Sequence, residues 1–187
     1  MPLLTNHTFP EIPQLAVPAH RLQIAGTVGE SIVDGEGYRY TIFTQGCPHN
    51  CFGCHNPQTH AFHGGRQVEP AKLLREILDN PLLEGVTFSG GEPFCQAAVL
   101  AELGRELKAN GLTIWCYTGY TLESLLGSRQ QAVRHLLQQI DVLVDGPYIC
   151  LEEQRDISLL FRGSRNQRLI DVPQTLAKDQ IILHPDQ

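Results

Sequence analysis

The chain has 187 residues, and 14 basic against 20 acidic residues give a formal net charge of −6 at pH 7. This acidic balance argues against a non-specific nucleic-acid binder, which normally carries a basic face. No stretch approaches the roughly 18–20 continuous apolar residues that span a bilayer, and no basic run followed by an apolar core indicates a secretory signal. We therefore expect a cytoplasmic protein of single-domain size that binds neither nucleic acid nor membrane.

The order of the predicted elements indicates an α/β fold. Residues 1–20 contain four prolines and no sustained apolar period, which predicts an extended arm. From Arg21 onward strands alternate with helices, an order typical of a parallel sheet whose functional loops follow the carboxyl ends of the strands. The predicted strands are 22–25, 38–43, 86–88, 112–117 and 142–145, and the predicted helices are 69–79, 96–109, 121–126 and 130–140.

Three cysteines, Cys47, Cys51 and Cys54, lie within eight residues with the spacing C-x3-C-x2-C. Three thiolates on a glycine-bearing loop can hold a compact soft metal centre. A [4Fe–4S] cubane with three protein ligands would keep one iron open to another ligand. A zinc site is the competing interpretation, although the usual paired C-x2-C spacing is lacking, and structural cysteines without metal are the third. A fourth zinc ligand could come from the neighbouring histidines His49, His55, His60 and His63.

A glycine pair follows the predicted strand at 86–88, in the segment Ser89-Gly90-Gly91-Glu92-Pro93. Two glycines let the backbone approach a ligand closely and leave N–H and C=O groups unpaired at the strand end. The neighbouring carboxylate could hold an ammonium group. On its own the segment is better explained as an ordinary βα turn. Its position beside the cysteine loop, on the same edge of the predicted sheet, favours a ligand site.

Together, the cysteine loop and the Gly-Gly-Glu-Pro turn resemble the radical S-adenosylmethionine (SAM) superfamily. Five blocks resemble, more narrowly, the activating proteins of anaerobic ribonucleoside-triphosphate reductases, which are glycyl radical enzyme activases. The resemblance implies an incomplete TIM-like β/α barrel of the radical SAM type, as a single domain. Its core would span 21–172, between a Pro-rich arm at 1–20 and a C-terminal tail at 173–187. The five blocks are residues 46–56, 89–93, 115–120, 141–148 and 161–167.

The resemblance also implies a chemistry. A [4Fe–4S] cluster on Cys47, Cys51 and Cys54 would reductively cleave SAM to a 5′-deoxyadenosyl radical, with no catalytic residue beyond the cluster and SAM. The glycine turn would cradle the methionine end of SAM, and the residues after the third cysteine would lie near the adenine. For Asp145, an ordinary turn carboxylate is an equal alternative to a SAM contact. The implied SAM contacts are His55, Asn56, Gly90, Gly91, Glu92, Thr118, Gly119 and Asp145.

Little sequence follows residue 172, and no second cysteine motif is present. A short barrel that stays open at one side suits a substrate delivered by another protein. We therefore expect hydrogen abstraction from a glycine of a partner, an anaerobic ribonucleoside-triphosphate reductase, with flavodoxin or ferredoxin as the one-electron donor. The alternatives are a radical SAM enzyme that modifies another peptide or a small molecule, and a zinc or iron–sulfur binding module.

Two further sets of residues remain. Arg162 and Arg165 form a local basic patch that could pair with the SAM carboxylate or a partner protein, or could simply face solvent. Cys95, Cys116 and Cys150 form no second cluster motif. They are predicted to be buried structural thiols, because free cysteine is among the most buried residue types.

Overall fold

The computed structural model describes residues 11–16, 18, 20–151 and 159–186. Two short 3₁₀ turns, Pro57–Thr59 and Pro93–Gln96, accompany the main elements. The strands are β1 (Leu22–Ser31), β2 (Arg39–Thr44), β3 (Arg66–Val68), β4 (Gly85–Gly90), β5 (Thr113–Tyr117), β6 (Val142–Asp145) and β7 (Arg168–Asp171). The helices are α1 (Pro70–Leu78), α2 (Ala97–Ala109), α3 (Leu122–Leu126), α4 (Gln131–Leu137) and α5 (Val172–Lys178).

The strands of the described chain form one mixed seven-stranded sheet in the order β3-β1-β2-β4-β5-β6-β7. Its four central strands, β2, β4, β5 and β6, pair in parallel, as the alternation of strands and helices predicted. The outer pairings, of β1 with β2, of β1 with β3 and of β6 with β7, are antiparallel. The architecture is therefore a mixed α/β single domain whose parallel centre matches the sequence prediction.

Local sequence explains where the helices begin. Pro70 opens α1, where a missing N–H costs nothing, and Leu73 and Ile77 are buried on one face. Thr121 caps α3, since its side chain accepts a hydrogen bond from the Ser124 amide. Helix α4 ends at Leu137, three residues before its predicted end. No helix among the described residues is long and apolar enough to cross a membrane.

Alternate residues of the central strands point to opposite faces of the sheet. One face packs against the helices and forms the main core, which includes Ile42, Phe88, Ile114, Leu143 and Ile170. The other face carries a smaller cluster of Trp115, Val142, Val144 and Leu169. Beside Trp115 lies Arg39, which is buried and donates hydrogen bonds to the Thr87 hydroxyl at 2.8 Å and the Val86 carbonyl at 2.7 Å.

Both ends of the described chain attach to the sheet domain. In the arm, Ile12 is buried, and the Leu15 amide donates to the Cys95 carbonyl at 2.8 Å. Residues 1–10, 17 and 19 of the predicted arm lie outside the described residues. At the other end, Leu183 forms an isolated bridge to Ile170 of β7. The boundary predicted at 172/173 falls in the first turn of α5.

Candidate functional site

The loops after β2, β4 and β5, at residues 45–57, 89–94 and 118–120, meet at the carboxyl ends of these parallel strands, as predicted, and line one cavity of about 690 Å³. A cavity of this size is within the range of about 300–1,000 Å³ that is typical of small-molecule sites. All three cysteines of the loop and six of the eight predicted SAM contacts line it: Cys47, Cys51, Cys54, His55, Asn56, Gly90, Gly91, Thr118 and Gly119. Glu92 and Asp145 do not line the cavity.

The cysteine loop leaves β2 through a backbone that favours glycine. Gly46, Asn50 and Gly53 have positive φ angles of 96°, 47° and 71°, in the region where glycine is at no disadvantage. The start of the loop is fixed by two backbone hydrogen bonds, from Gly46 to the Thr59 carbonyl at 2.8 Å and from Cys47 to the His60 carbonyl at 3.0 Å. The start of the loop, at its first cysteine, is therefore anchored to the 3₁₀ turn that follows the third cysteine.

The three loop thiols form no disulfide and are partly exposed toward the cavity. Burial raises the pKa of the Cys47 thiol to about 11 and raises that of Cys51 as well. Because iron binds the thiolate, taking up a metal centre here releases protons. Among the described residues, no three His, Cys, Asp or Glu side chains converge on one point. In a cubane each thiolate binds a different iron, so three thiols on one loop fit this kind of centre.

The Gly90–Gly91 turn packs directly on the end of β2. Gly90 has a φ of 93°, and a Cβ on it would lie 2.6 Å from the Phe43 Cα. A Cβ on Gly91 would lie 2.5 Å from the Gly46 carbonyl oxygen. Both positions therefore require glycine because of their protein neighbours. The consequence for the site is that unshielded backbone of this turn faces the cavity beside the cysteine loop.

The Glu92 carboxylate does not face the cavity, and it is fully buried. Its Oε1 accepts from the Phe94 amide at 3.1 Å, and its Oε2 accepts from the Gly119 amide and from His49 Nε2, each at 2.9 Å. The Thr118 hydroxyl lies 2.9 and 3.0 Å from the two oxygens. Because these donors occupy the carboxylate, the geometry does not support the ammonium-binding role predicted for Glu92. Instead it ties together the loops that surround the cavity.

Asp145 is likewise committed to the protein. Its side chain is buried, and it accepts hydrogen bonds from Arg168 Nε at 2.9 Å and from the Leu122 amide at 2.7 Å. Arg168 also bonds Glu123, at 2.8 Å from its Nη2, and this contact lowers the pKa of the Glu123 carboxyl. Asp145 therefore anchors α3 and β7, and this geometry does not support the SAM contact predicted for it. The neighbouring Gly146 lines the cavity instead.

Asp34 and Tyr148 are two of the lining residues that the sequence analysis did not identify. Asp34 comes from the β1–β2 loop, and its Oδ2 accepts from the Ser31 hydroxyl at 2.6 Å and the Thr41 hydroxyl at 3.0 Å. The Asp-Gly-Glu-Gly sequence at residues 34–37 is typical of a turn and does not by itself indicate a site. Tyr148 makes a tilted ring contact with His55, with ring centroids 4.6 Å apart and an interplanar angle of 47°. It lies in one of the five blocks, which was a signal that could have identified it.

The basic patch divides between the cavity and the surface. Arg162 lines the cavity, and its Nε is buried without a hydrogen-bond partner among the described residues. Burial also lowers the pKa of its guanidinium. An unpaired buried donor costs about 1–3 kcal/mol, so Arg162 fits an anionic group in the cavity, such as the carboxylate of SAM. Arg165 is exposed.

The three cysteines outside the loop differ in burial. Cys95 and Cys116 are fully buried, as predicted, and burial raises the pKa of both thiols. Cys150 is only half-buried, so the prediction of a buried thiol is wrong for it. A Cβ on Gly53 would lie only 2.5 Å from the Cys150 Sγ. Glycine at this position of the cysteine loop therefore leaves room for the Cys150 side chain.

Residues 33–170 match the family described as "4Fe-4S single cluster domain". The cysteine loop, the family match and the similar proteins below thus define an iron–sulfur protein of the radical SAM class, with a [4Fe–4S] cluster and SAM as its cofactors. The anaerobic ribonucleoside-triphosphate reductase-activating protein of Haemophilus influenzae is 37% identical over 144 residues, which cover 73% of this chain and 89% of that protein. The chain belongs to the family of anaerobic ribonucleoside-triphosphate reductase-activating proteins.

Two other proteins are similar over shorter parts. The pyruvate formate-lyase-activating enzyme of Staphylococcus epidermidis is 44% identical over 99 residues, which cover 50% of this chain and 38% of that protein. The crystal structure of QueE from Escherichia coli matches with a TM-score of 0.44 and 22% identity, over 54% of each chain.

Proposed function

We propose that this chain is a glycyl radical enzyme activase that binds its [4Fe–4S] cluster on Cys47, Cys51 and Cys54. Membership of the activating-protein family supports this function. The observation that carries it is the single cavity in which those cysteines meet the Gly90–Gly91 turn. When bound, the cluster and SAM supply a 5′-deoxyadenosyl radical, which abstracts a hydrogen atom from a glycine of a partner enzyme.

The chain's own residues bind and orient SAM. The backbone of the Gly90–Gly91 turn cradles the methionine end. The Arg162 guanidinium, whose Nε has no hydrogen-bond partner in the described part of the chain, pairs with the carboxylate. His55 and Asn56 lie along the same cavity, where the tilted contact of His55 with Tyr148 offers a face for the adenine ring. Further along the wall, contacts to the rest of SAM come from Thr118 and Gly119.

We further propose that the sheet curves into a partial barrel of the radical SAM type, open at one side. The β1–β2 loop supports this, because it packs across the inner face: a Cβ on Gly35 would lie 2.7 Å from the Trp115 ring. Ile32 and Val33 of this loop line the cavity and remain exposed. An opening with such a rim admits a peptide loop of another protein while the inner wall excludes water.

The partner that we propose is an anaerobic ribonucleoside-triphosphate reductase, which is named by the relative that this chain matches over most of its length. The pyruvate formate-lyase-activating enzyme, at 44% identity over 99 residues, favours other glycyl radical enzymes as a second class of partner. The proposed source of the single electron is a flavodoxin or a ferredoxin.

The test is an anaerobic assay with reconstituted cluster, SAM, a reductant and the reductase. We expect 5′-deoxyadenosine to form and a glycyl radical to appear on the reductase by electron spin resonance. Cleavage of SAM with no radical on the reductase would refute this partner and lead to a trial of other glycyl radical enzymes. A chain that takes up zinc alone and cleaves no SAM would refute the activase.

A further inference from the structure

Glu92 touches the cysteine loop on both sides of Cys47. Its backbone amide donates to the Gly46 carbonyl at 2.8 Å, one residue before the cysteine. Its carboxylate bonds His49 Nε2 at 2.9 Å, two residues after the cysteine. Because Glu92 directly follows Gly91, one residue connects the first cluster ligand to the glycine turn at two points.

The carboxylate is suited to this role because every group around it is a donor. The amides of Phe94 and Gly119 cannot act as acceptors, and both point at Glu92 oxygens, at 3.1 and 2.9 Å. Because both oxygens accept from backbone amides, we assign the hydrogen of this contact to His49 Nε2, which donates to Oε2. A glutamine in place of Glu92 would turn an NH₂ group toward at least one of these donors.

The His49 ring is held from its other sides as well. It makes an edge contact with Tyr120, with ring centroids 4.4 Å apart and an interplanar angle of 68°. A Cβ on Gly119 would lie 2.4 Å from His49 Cδ2, so only glycine leaves room for the imidazole there. With 17% of its side chain exposed, His49 has little freedom to leave the carboxylate.

We propose that Glu92 and His49 are positioning residues, which set the position of Cys47 relative to the Gly90–Gly91 turn. The effect acts on alignment: a cluster held by Cys47 and a SAM group held by the glycine turn would have to meet, and a misplacement of about 1 Å would cost much of that interaction. The proposal rests on the cluster and SAM site of the proposed function and is independent of the partner enzyme.

The experiment compares His49→Leu, which removes the donor, with His49→Gln, whose amide nitrogen can still donate. His135→Leu, an exposed histidine on α4 outside the cavity, is the matched control. Iron and sulfide content, the dissociation constant of SAM and the change that SAM causes in the spin resonance spectrum of the reduced cluster are measured for each. None of these readouts requires turnover.

We expect His49→Leu to raise the dissociation constant of SAM on the order of tenfold, the effect of losing one charge-assisted hydrogen bond. Its spectral response to SAM should change, while His49→Gln recovers most of both properties and His135→Leu matches the wild type. If His49→Leu cannot retain a cluster, recovery of the cluster in His49→Gln supports the same role.

Two results would overturn the proposal. One is a fully loaded His49→Leu protein that binds SAM as the wild type does. The other is equal impairment of His49→Leu and His49→Gln, which would show that the donated hydrogen bond is irrelevant. Failure of the proposed function would be distinct, because the wild type itself would then bind no SAM, cleave none or produce no glycyl radical.

Discussion

At the scale of single residues, the cavity depends on glycines that give room to neighbouring protein groups. Gly91 leaves space for the Gly46 carbonyl, and Gly119 leaves space for the His49 ring. The sequence predicted that the glycine pair lets the backbone approach a ligand. It did not predict that the same glycines pack closely against the end of β2. Substituting such a glycine should therefore move the cysteine loop itself.

Gly91→Ala tests this packing directly. Its Cβ would lie 2.5 Å from the Gly46 carbonyl oxygen, so we expect a loss of about 1–3 kcal/mol in the free energy of unfolding, and weaker cluster retention. The matched control is Gly29→Ala in β1, where no atom lies within 4 Å of the added Cβ. Anaerobic urea unfolding and iron analysis give the comparison, and equal behaviour of the two variants would contradict the account.

Cys54→Ser and Cys150→Ser test which thiols hold the cluster. Both thiols lie at the cysteine loop, since Cys54 lines the cavity and Cys150 packs against Gly53. We expect Cys54→Ser to lose the cluster, because serine is a poor iron ligand, and Cys150→Ser to load as much iron and sulfide as the wild type. Loss of the cluster from Cys150→Ser alone would reverse the assignment.

At the scale of elements, the parallel strands β2, β4, β5 and β6 were predictable because strand and helix patterns alternate along the chain. Strands β3 and β7 were not predicted, since they have three and four residues and form through antiparallel pairing with distant partners. At the β7 edge of the sheet, one ion-pair group connects three elements, because Arg168 of β7 bonds Asp145 of β6 and Glu123 of α3.

This group predicts a pH dependence of stability. Arg168 lowers the pKa of Glu123 below its ordinary value of 4.5, so the stabilisation is complete above that value and is lost as the pH falls through the lower folded pKa. We expect Glu123→Gln to be less stable than the wild type near pH 6, with the difference shrinking as the pH falls below 4.5. Anaerobic urea unfolding at several pH values measures it, and a difference that does not change with pH would contradict the assignment.

Asp145→Asn separates a structural role from a cofactor role. Asp145 is buried and bonds Arg168 and the Leu122 amide, so the variant should lose roughly 1–3 kcal/mol in the free energy of unfolding. The folded fraction should still bind SAM with unchanged affinity, measured by equilibrium binding at low temperature. A large loss of SAM affinity without loss of stability would return Asp145 to the SAM site.

At the scale of the whole molecule, the sequence identified the site through short-range spacing. The cysteines, the glycine pair and the loops after β2, β4 and β5 are local signals, and the structure brings them to one cavity. The direction of the Glu92 side chain was not predictable, because Thr118 and Gly119, which hold it, lie 26 and 27 residues further along the chain. Asp34 was missed for a related reason, since it reaches the cavity from a loop that precedes β2.

The central claim is that the radical formed at this cavity takes its hydrogen atom from a glycine of a partner protein. The most direct measurement uses a partner reductase in which all glycines carry deuterium, together with the cluster-loaded chain, unlabelled SAM and a reductant. Mass spectrometry of the 5′-deoxyadenosine should then show one deuterium per molecule formed, in step with the glycyl radical signal. Unlabelled 5′-deoxyadenosine alongside a glycyl radical would contradict direct abstraction, and unlabelled 5′-deoxyadenosine without that signal would contradict the activation of this partner.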